Sequence, residues 1–170
     1  MDFWVKFKTP LGIMIARSSF SKLEALYFSQ NTESESLISN YNKKTAKLIF
    51  IKTKEWLDIY FSGKIPNFDI ELNPLGTDFQ KEVWDLLLKI PYGQTTTYGE
   101  IAKQIAIKRG IPKMSAQAVG NAVGKNHIVI IVPCHRVTGA NRKLGGFSCG
   151  IDKKIKLLQI EKVDLRQFKI

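Results

Sequence analysis

The tetrapeptide Pro133-Cys134-His135-Arg136 places a thiol, an imidazole and a guanidinium next to one another. A cysteine thiolate is a strong nucleophile, and a neighbouring His or Arg can lower the pKa of a cysteine from its free value of about 8.5. A cysteine that only fills space in a core has no need of such neighbours. The residue types therefore favour nucleophilic chemistry at Cys134 over a packing role.

A zinc site is the other chemistry to weigh, since two Cys and two His could in number form a tetrahedral site. Their order is His127, Cys134, His135 and Cys149, without the C-x2-C spacing of structural zinc loops. Cys134 and His135 are adjacent and would have difficulty binding one ion together. We therefore expect no metal.

The apolar run Ile128-Val129-Ile130-Ile131-Val132 comes directly before the tetrapeptide. Five β-branched residues in a row predict a buried strand. Pro133 cannot donate to a sheet ladder, so the strand should end there. This places the reactive side chains where a buried strand leaves the core.

Helix signals dominate the chain before this run. Thr77–Gln80 predicts a capping box that opens a helix reaching Ile90, and Thr97–Glu100 predicts a second capping box and a short helix. After a loop over residues 107–113, Ser115 should cap a helix rich in Ala and Gly. Two short helices joined by a loop predict a helix-turn-helix. The small residues of the second helix would allow close approach to a nucleic-acid groove or tight packing on the core.

The N-terminal part has strand periodicity followed by helix periodicity. The predicted elements are strands at 3–8, 13–16 and 23–28, a helix over 45–62 ending at Gly63, a polar loop over 31–42 and an extended linker over 65–76. No residue pattern in this part carries recognisable chemistry. We expect it to be a support domain.

The net charge of +11 is unevenly distributed. Residues 1–73 hold 10 Lys/Arg against 8 Asp/Glu, whereas residues 74–170 hold 16 against 7. A basic half beside a near-neutral half predicts two domains, 1–73 and 74–170, of which the second binds a polyanion. A generally lysine-rich composition is the alternative explanation.

Other composition features bear on the compartment. No apolar run approaches the ~18 residues that span a bilayer, and the first residues lack the order of a signal peptide. Two cysteines, one of them beside a histidine, are typical of a reduced compartment rather than a disulfide scaffold. We expect a cytoplasmic protein without membrane attachment.

An ordered set of motifs resembles the O6-alkylguanine-DNA alkyltransferase family, the methylated-DNA–protein-cysteine methyltransferases. The motifs are GTDFQ at 76–80, YGQTTTYG at 92–99, PCHRV at 133–137, LGGFSCG at 144–150 and LLQIE at 157–161. Residues 1–75 match that family only in general pattern. An ordered set of this kind is far more specific than any single motif.

The resemblance implies an α+β fold: a small antiparallel sheet with a helix, then a mostly helical, winged-helix-like domain with a helix-turn-helix. The implied activity is direct-reversal DNA repair, in which the alkyl group of O6-alkylguanine, or of O4-alkylthymine, moves irreversibly to the protein's own cysteine. The implied partner is double-stranded DNA containing alkylated guanine, bound by a monomer without metal or organic cofactor. A base inside a duplex must be flipped out to be reached.

Carried over residue by residue, the resemblance assigns the chemistry to four residues. Cys134 would be the nucleophile and permanent alkyl acceptor, and His135 the base that removes the thiol proton through a water. Glu161 would orient the imidazole and stabilise its charge. Asn126 would connect the active-site loop to the turn before it, although a helix C-cap is an equally ordinary role for this residue.

The resemblance also assigns contacts to the substrate and to DNA. The Tyr98 hydroxyl would contact the guanine as its O6 leaves, Ser148 and the Val137 backbone would line the base pocket, and Lys154 would support that loop. The residues expected to contact DNA are Thr97, Gln117, Ala118, Asn121 and Arg136.

Some positions depart from the family pattern. Gln117 stands where the family has the arginine that fills the vacated base stack, and His127 stands where it usually has proline. The loop over 107–113 is longer than usual. Cys149 replaces a small residue, often glycine, and we expect it to serve packing. Glutamine is shorter and uncharged, so it should fill the stack less well.

Two other functions stay open on the residues alone. A lesion-sensing or regulatory helix-turn-helix protein of the same fold would bind DNA without transfer, but such relatives lack the cysteine that Cys134 supplies. A thiol-dependent hydrolase with a Cys-His-Glu set would leave the basic half unexplained.

Overall fold

The computed structural model describes residues 2–29 and 44–170. Within it the chain forms two compact units, Met1–Leu75 and Gly76–Ile170. The first unit contains a three-stranded antiparallel sheet and a helix, and the second is mostly helical. The α+β class expected from the sequence is therefore confirmed.

The first unit is a β-meander followed by a helix. Its elements are β1 (Phe3–Thr9), β2 (Gly12–Ser18), β3 (Leu23–Phe28) and α1 (Lys44–Phe61). The strands pair in the order β1-β2-β3, with Val5 opposite Ala16 and Ala16 opposite Leu26. Helix α1 packs against β1 and β2 and buries Phe50, Leu57 and Tyr60. The loop expected over 31–42 lies outside the described residues.

The segment expected to be an extended linker over 65–76 is held against the sheet. The backbone N–H of Leu23 donates to the carbonyl of Glu71 at 2.8 Å, and the N–H of Asn73 donates to the carbonyl of Leu23 at 2.8 Å. Leu72 forms a parallel bridge with Leu23, and Ile70 is buried. The segment is extended as expected, but paired backbone groups fix it to the edge of β3.

Four helices and a small parallel pair of strands make up the described second unit, which is continuous over residues 76–170. The elements are α2 (Asp78–Leu87), β4 (Thr96–Thr97), α3 (Tyr98–Arg109), α4 (Ala116–Gly124), a 3₁₀ turn at Cys134–Arg136, β5 (Val137–Thr138), α5 (Ile151–Ile160) and a 3₁₀ turn at Leu165–Gln167. The sequence did not predict the pairing of β4 with β5.

The helix starts lie at the capping residues that the sequence predicts. Thr77 and Gln80 form a reciprocal capping box, the Thr97 hydroxyl accepts from the N–H of Glu100, and Ser115 caps α4. The ends differ: α2 stops at Leu87 rather than Ile90. Helix α3 continues to Arg109, where Gly110 at φ 63° provides a left-handed C-cap. The connection before α4 is therefore shorter than the predicted loop over 107–113.

Helix α4 has one face in the core and one facing out. Val119, Ala122 and Val123 are buried, whereas Gln117 and Asn121 are exposed. The buried Trp84 of α2 donates its indole N–H to the carbonyl of Ala122 at 2.9 Å, which fixes α4 to α2. Helix α4 therefore packs tightly on the core with one face and leaves its other face accessible to solvent.

The prediction of a strand over Ile128–Val132 is wrong, although these residues are largely buried. The chain instead turns back on itself: the N–H of Val132 donates to the carbonyl of Ile128 at 3.0 Å, and Ile130 has a left-handed φ of 75°. The Asn126 side chain bonds the backbone at both ends of this turn, which competes with ladder formation. A β-branched residue at positive φ is rare and requires such surrounding support.

Candidate active site

Cys134 lies on the 3₁₀ turn after Pro133 and is 4% exposed. It lines a pocket of about 240 Å³. Helices α3 and α4 contribute Tyr98, Gly120 and Val123 to the lining, and the loop before α5 contributes Phe147 and Ser148. The volume lies just below the ~300 Å³ at which pockets for drug-sized ligands begin, so it suits a ligand of nucleobase size.

Burial raises the pKa of the Cys134 thiol to about 12, although a hydrogen bond from Asn126 partly opposes this shift. The expectation that His135 and Arg136 would lower this pKa is wrong. Both side chains bind Glu161 instead: the Arg136 charge is paired with the carboxylate, and burial lowers the pKa of His135, which disfavours its charged form. The resting thiol is protonated at neutral pH and needs a base to become a nucleophile.

Asn126 connects the turn before the tetrapeptide to the cysteine. Its Nδ2 donates to the Val132 carbonyl at 2.9 Å and lies 3.1 Å from Cys134 Sγ, while its Oδ1 accepts from the N–H of Ile128 at 2.9 Å. The C-cap residue of α4 is Lys125. The geometry therefore matches the connecting role expected for Asn126 rather than the alternative of a helix cap.

Glu161 is the buried centre of a four-donor network at the end of α5. Its Oε1 lies 2.6 Å from His135 Nε2 and accepts from Arg136 Nη2 at 3.0 Å. Its Oε2 accepts from Arg136 Nε at 2.9 Å and from the N–H of Gly93 at 3.0 Å. Arg136 Nη1 donates to the carbonyl of Ile90 at 2.7 Å. The carboxylate thus joins three separate segments of the chain.

The charges in this network follow from its hydrogen bonds. Burial alone would raise the pKa of Glu161, but the bonds from His135 and Arg136 outweigh it and hold this pKa at about 2. Burial lowers the pKa of His135, against the opposing effect of Glu161. An ionised carboxylate only accepts hydrogen bonds, so His135 Nε2 carries the hydrogen and Nδ1 holds the lone pair. The imidazole is neutral and its basic nitrogen is Nδ1.

Arg136, expected to contact DNA, is placed among buried partners instead of on an exposed surface. The residue is 8% exposed, and its guanidinium donates to Glu161 twice and to the Ile90 carbonyl once. A buried arginine needs such partners, and these three bonds direct the guanidinium into the protein interior. Arg136 fixes the Glu161 carboxylate instead.

Lys154 holds the pocket loop from inside. Its fully buried ammonium donates to the carbonyls of Val137, Leu144 and Gly146 at 2.6, 2.7 and 3.1 Å. Burial lowers the pKa of Lys154 to about 8. The loop-supporting position expected for Lys154 is the observed one. The Val137 backbone was expected to line the pocket. Its carbonyl accepts from this ammonium and its N–H donates to the carbonyl of Cys134, and Val137 is not among the residues that line the pocket.

Tyr98 and Ser148 both lie at the pocket, as expected. Burial raises the pKa of Tyr98, so its hydroxyl keeps its proton and can donate a hydrogen bond. Ser148 is exposed, and its Oγ lies 3.8 Å from Cys149 Sγ.

The residues expected to contact DNA are divided between two places. Gln117, Ala118 and Asn121 lie on α4, with Gln117 and Asn121 exposed and one turn apart. The Thr97 hydroxyl is occupied in capping α3. Helix α4 contains no Lys, Arg, Asp or Glu, so any attraction to phosphates must come from residues outside it.

Across residues 2–29 and 44–170, no group of three or more His, Cys, Asp or Glu side chains is placed to hold a metal ion. Among the same residues, no helix has the length and apolar character needed to cross a membrane.

The chain is similar to known proteins over most of its length. A family model described as "6-O-methylguanine DNA methyltransferase, DNA binding domain" matches residues 78–163. The methylated-DNA–protein-cysteine methyltransferase of Methanosarcina acetivorans is 41% identical over 159 residues, covering 94% of this chain and 97% of that protein. The chain belongs to the methylated-DNA–protein-cysteine methyltransferase family.

Solved structures of methyltransferases agree with this membership. The O6-methylguanine methyltransferase of Mycobacterium tuberculosis has a TM-score of 0.78 and 42% identity, over 99% of this chain and 100% of that one. The M. tuberculosis protein in complex with DNA gives the same TM-score at 38% identity, over 98% of this chain and 94% of that one. The family resemblance seen in the motifs is confirmed.

Sequence reasoning missed the role of Arg136 in this methyltransferase. The resemblance assigned this residue a DNA contact, whereas its partner Glu161 lies 25 residues further on. The sequence has few acidic residues near the motif, and this shortage could have indicated the role of Arg136. A single carboxylate close to both a histidine and an arginine is expected to bind both.

Replacing Glu161 with glutamine should change the acid stability of this methyltransferase. The folded pKa of Glu161, about 2, lies below its ordinary value of 4.5. Its stabilisation is therefore complete above about pH 4.5 and is lost as the pH falls toward 2. The shift corresponds to about 3 kcal/mol. Glu161→Gln should lower the free energy of unfolding at pH 7 by about that amount and flatten its dependence between pH 4.5 and 2.

Urea unfolding followed by Trp84 fluorescence, with Trp4 and Trp56 replaced by phenylalanine, measures this in the second unit. Asp152→Asn is the control, because it makes the same carboxylate-to-amide change at an exposed position of α5. An acid dependence of Glu161→Gln equal to that of the parent would contradict the buried ion pair.

Proposed function

We propose that this protein repairs DNA by direct reversal: Cys134 takes the alkyl group from O6-alkylguanine in double-stranded DNA, once per molecule. The observation that carries the proposal is the placement of Cys134 in a nucleobase-sized pocket beside the His135–Glu161 pair. The family names of its relatives support the same reaction. The protein acts as a monomer in the cytoplasm and needs no cofactor.

The reaction begins with removal of the Cys134 proton. At a pKa of about 12, forming a thiolate at pH 7 costs about 7 kcal/mol, so the resting thiol is protected from adventitious reaction. His135 Nδ1 takes the proton through a water as the sulfur attacks, and the resulting imidazolium is stabilised by the ionised Glu161. His135 therefore removes the Cys134 proton only during attack on a bound substrate.

The alkyl group then moves in a single displacement. Cys134 Sγ forms a bond to the alkyl carbon, the carbon–O6 bond breaks, and its electron pair goes to guanine O6. The Tyr98 hydroxyl donates a hydrogen bond toward the leaving guanine, where negative charge develops. The product is a thioether, which thiol–disulfide exchange cannot cleave, so each molecule reacts once.

The outer face of α4 approaches the DNA, with Gln117, Ala118 and Asn121 nearest the duplex. Small residues along this helix permit close contact with a groove, and the target base is flipped into the pocket. Gln117 occupies the stack that the base vacates. Residues 1–73 support this DNA-binding and alkyl-accepting domain of residues 74–170.

Substituting Cys134 with serine tests the acceptor. After incubation with a duplex containing O6-methylguanine, the intact mass of the parent should rise by one methyl group, and that of Cys134→Ser should not, because a serine hydroxyl is a far poorer nucleophile. Cys149→Ser is the matched control and should be methylated like the parent. Methylation of Cys134→Ser at Cys149 would refute the assignment of the acceptor.

Substituting Gln117 with arginine tests the flipping step. A longer cationic side chain should hold the flipped state better, and about 1.4 kcal/mol of added stabilisation would speed the reaction with duplex DNA roughly tenfold. Reaction with free O6-benzylguanine needs no flipping and should change little. Gln117→Ala should slow only the duplex reaction. If single-turnover rates on duplex DNA are the same for both variants and the parent, Gln117 does not serve flipping.

A further inference from the structure

Three exposed cations lie on adjacent backbone in the second unit. We call Arg142, Lys143 and Lys169 the basic tip. The N–H of Lys169 donates to the carbonyl of Arg142 at 2.7 Å, and the carbonyl of Lys169 accepts from the N–H of Leu144 at 3.1 Å. The last residues of the sequence therefore hold Lys169 against the turn that carries the other two cations.

Part of the basic tip has a left-handed backbone conformation, which is energetically unfavourable for residues other than glycine. Asn141 and Arg142 have φ of 56° and 62°, and the N–H of Lys143 donates to the carbonyl of Ala140 at 3.1 Å. This is a two-residue turn with both central residues left-handed, for which Asn-Gly is the preferred pair. An arginine at the glycine position costs free energy that glycine would not.

The charges of the basic tip are also unfavourable in isolation. Lys143 and Lys169 face each other in a parallel bridge, and like charges opposite one another on paired backbone repel. Over residues 2–29 and 44–170, no carboxylate forms an ion pair with any of the three cations, whereas nearby Arg166 is paired with Asp164. The repulsion would be relieved by an external polyanion.

The basic tip is joined to the wall of the active-site pocket. The N–H of Gly139 donates to the carbonyl of Lys143 at 2.8 Å, so the chain pairs with itself on either side of the two-residue turn. A Cβ placed on Gly145 would lie 3.3 Å from the nitrogen of Gly139 and 3.7 Å from the ring of Tyr98. The chain then continues through Gly146 to Ser148, which line the pocket. The tip is therefore fixed relative to the site where the base would enter.

We infer that the basic tip binds backbone phosphates of the DNA duplex beside the loop that lines the pocket, an inference that rests on the proposed function. Helix α4 carries no charged side chain, so its side chains contribute no cation to the phosphate attraction on which DNA affinity depends. The three cations of the basic tip, on the segment that leads into the pocket loop, supply that attraction. Phosphate contacts fix the position of the duplex without reading its sequence.

The test is the salt dependence of binding to an unmodified duplex by the full chain and by the triple variant Arg142→Gly, Lys143→Gln, Lys169→Gln. Each lost phosphate contact should reduce the slope of log affinity against log salt by about 0.9. Over a tenfold change in salt, the affinity of the parent should change about eightfold more per contact than that of the variant. Glycine suits the left-handed position, so the thermal midpoint of the variant should not fall.

The control removes the same charge from exposed lysines of the first unit, through Lys8→Gln, Lys52→Gln and Lys64→Gln, and should keep the slope of the parent. Equal slopes for the tip variant and the parent, or equal reductions in the tip variant and the control, would overturn the inference. The proposed function is judged separately, by whether the parent accepts a methyl group from O6-methylguanine.

Discussion

The carboxylate of Glu161 is the group on which the arrangement of the site depends. It is buried and ionised, and it accepts hydrogen bonds from His135, twice from Arg136 and from the backbone of Gly93. These donors come from two segments, the turn after α2 and the 3₁₀ turn that carries Cys134. None of them lies on α5. A buried carboxylate with satisfied partners holds these segments in one geometry, and loss of one partner would leave an uncompensated charge.

The same carboxylate determines what the histidine can do. Because Arg136 keeps Glu161 ionised, His135 must donate from Nε2, and the lone pair is confined to Nδ1. Burial keeps the imidazole neutral and the Cys134 thiol protonated. The site thus holds a protonated thiol beside an oriented base, and the thiol becomes nucleophilic only when a substrate is bound. For an acceptor that is used once, a protected resting state prevents waste of the protein on other electrophiles.

Prediction from the sequence succeeded where the deciding interactions are local. Thr77 and Ser115 cap helices through bonds to residues three positions away. It failed at Ile128–Val132, because a buried strand and a buried turn have the same composition and the side chain of Asn126 decides between them. It failed at Arg136 because the partner carboxylate is distant in sequence. The placement of Asn126, Tyr98 and Lys154 was predictable only through the family motifs.

Glu161 holds His135 neutral with its hydrogen on Nε2, and ¹⁵N NMR of the imidazole reads out this protonation state. The chain has two histidines, so His127→Gln leaves His135 as the only imidazole signal. At pH 7 we expect one nitrogen, Nε2, to be protonated, and the other, Nδ1, to show the shift of an unprotonated ring nitrogen. A doubly protonated ring, or a hydrogen on Nδ1 instead of Nε2, would contradict the account.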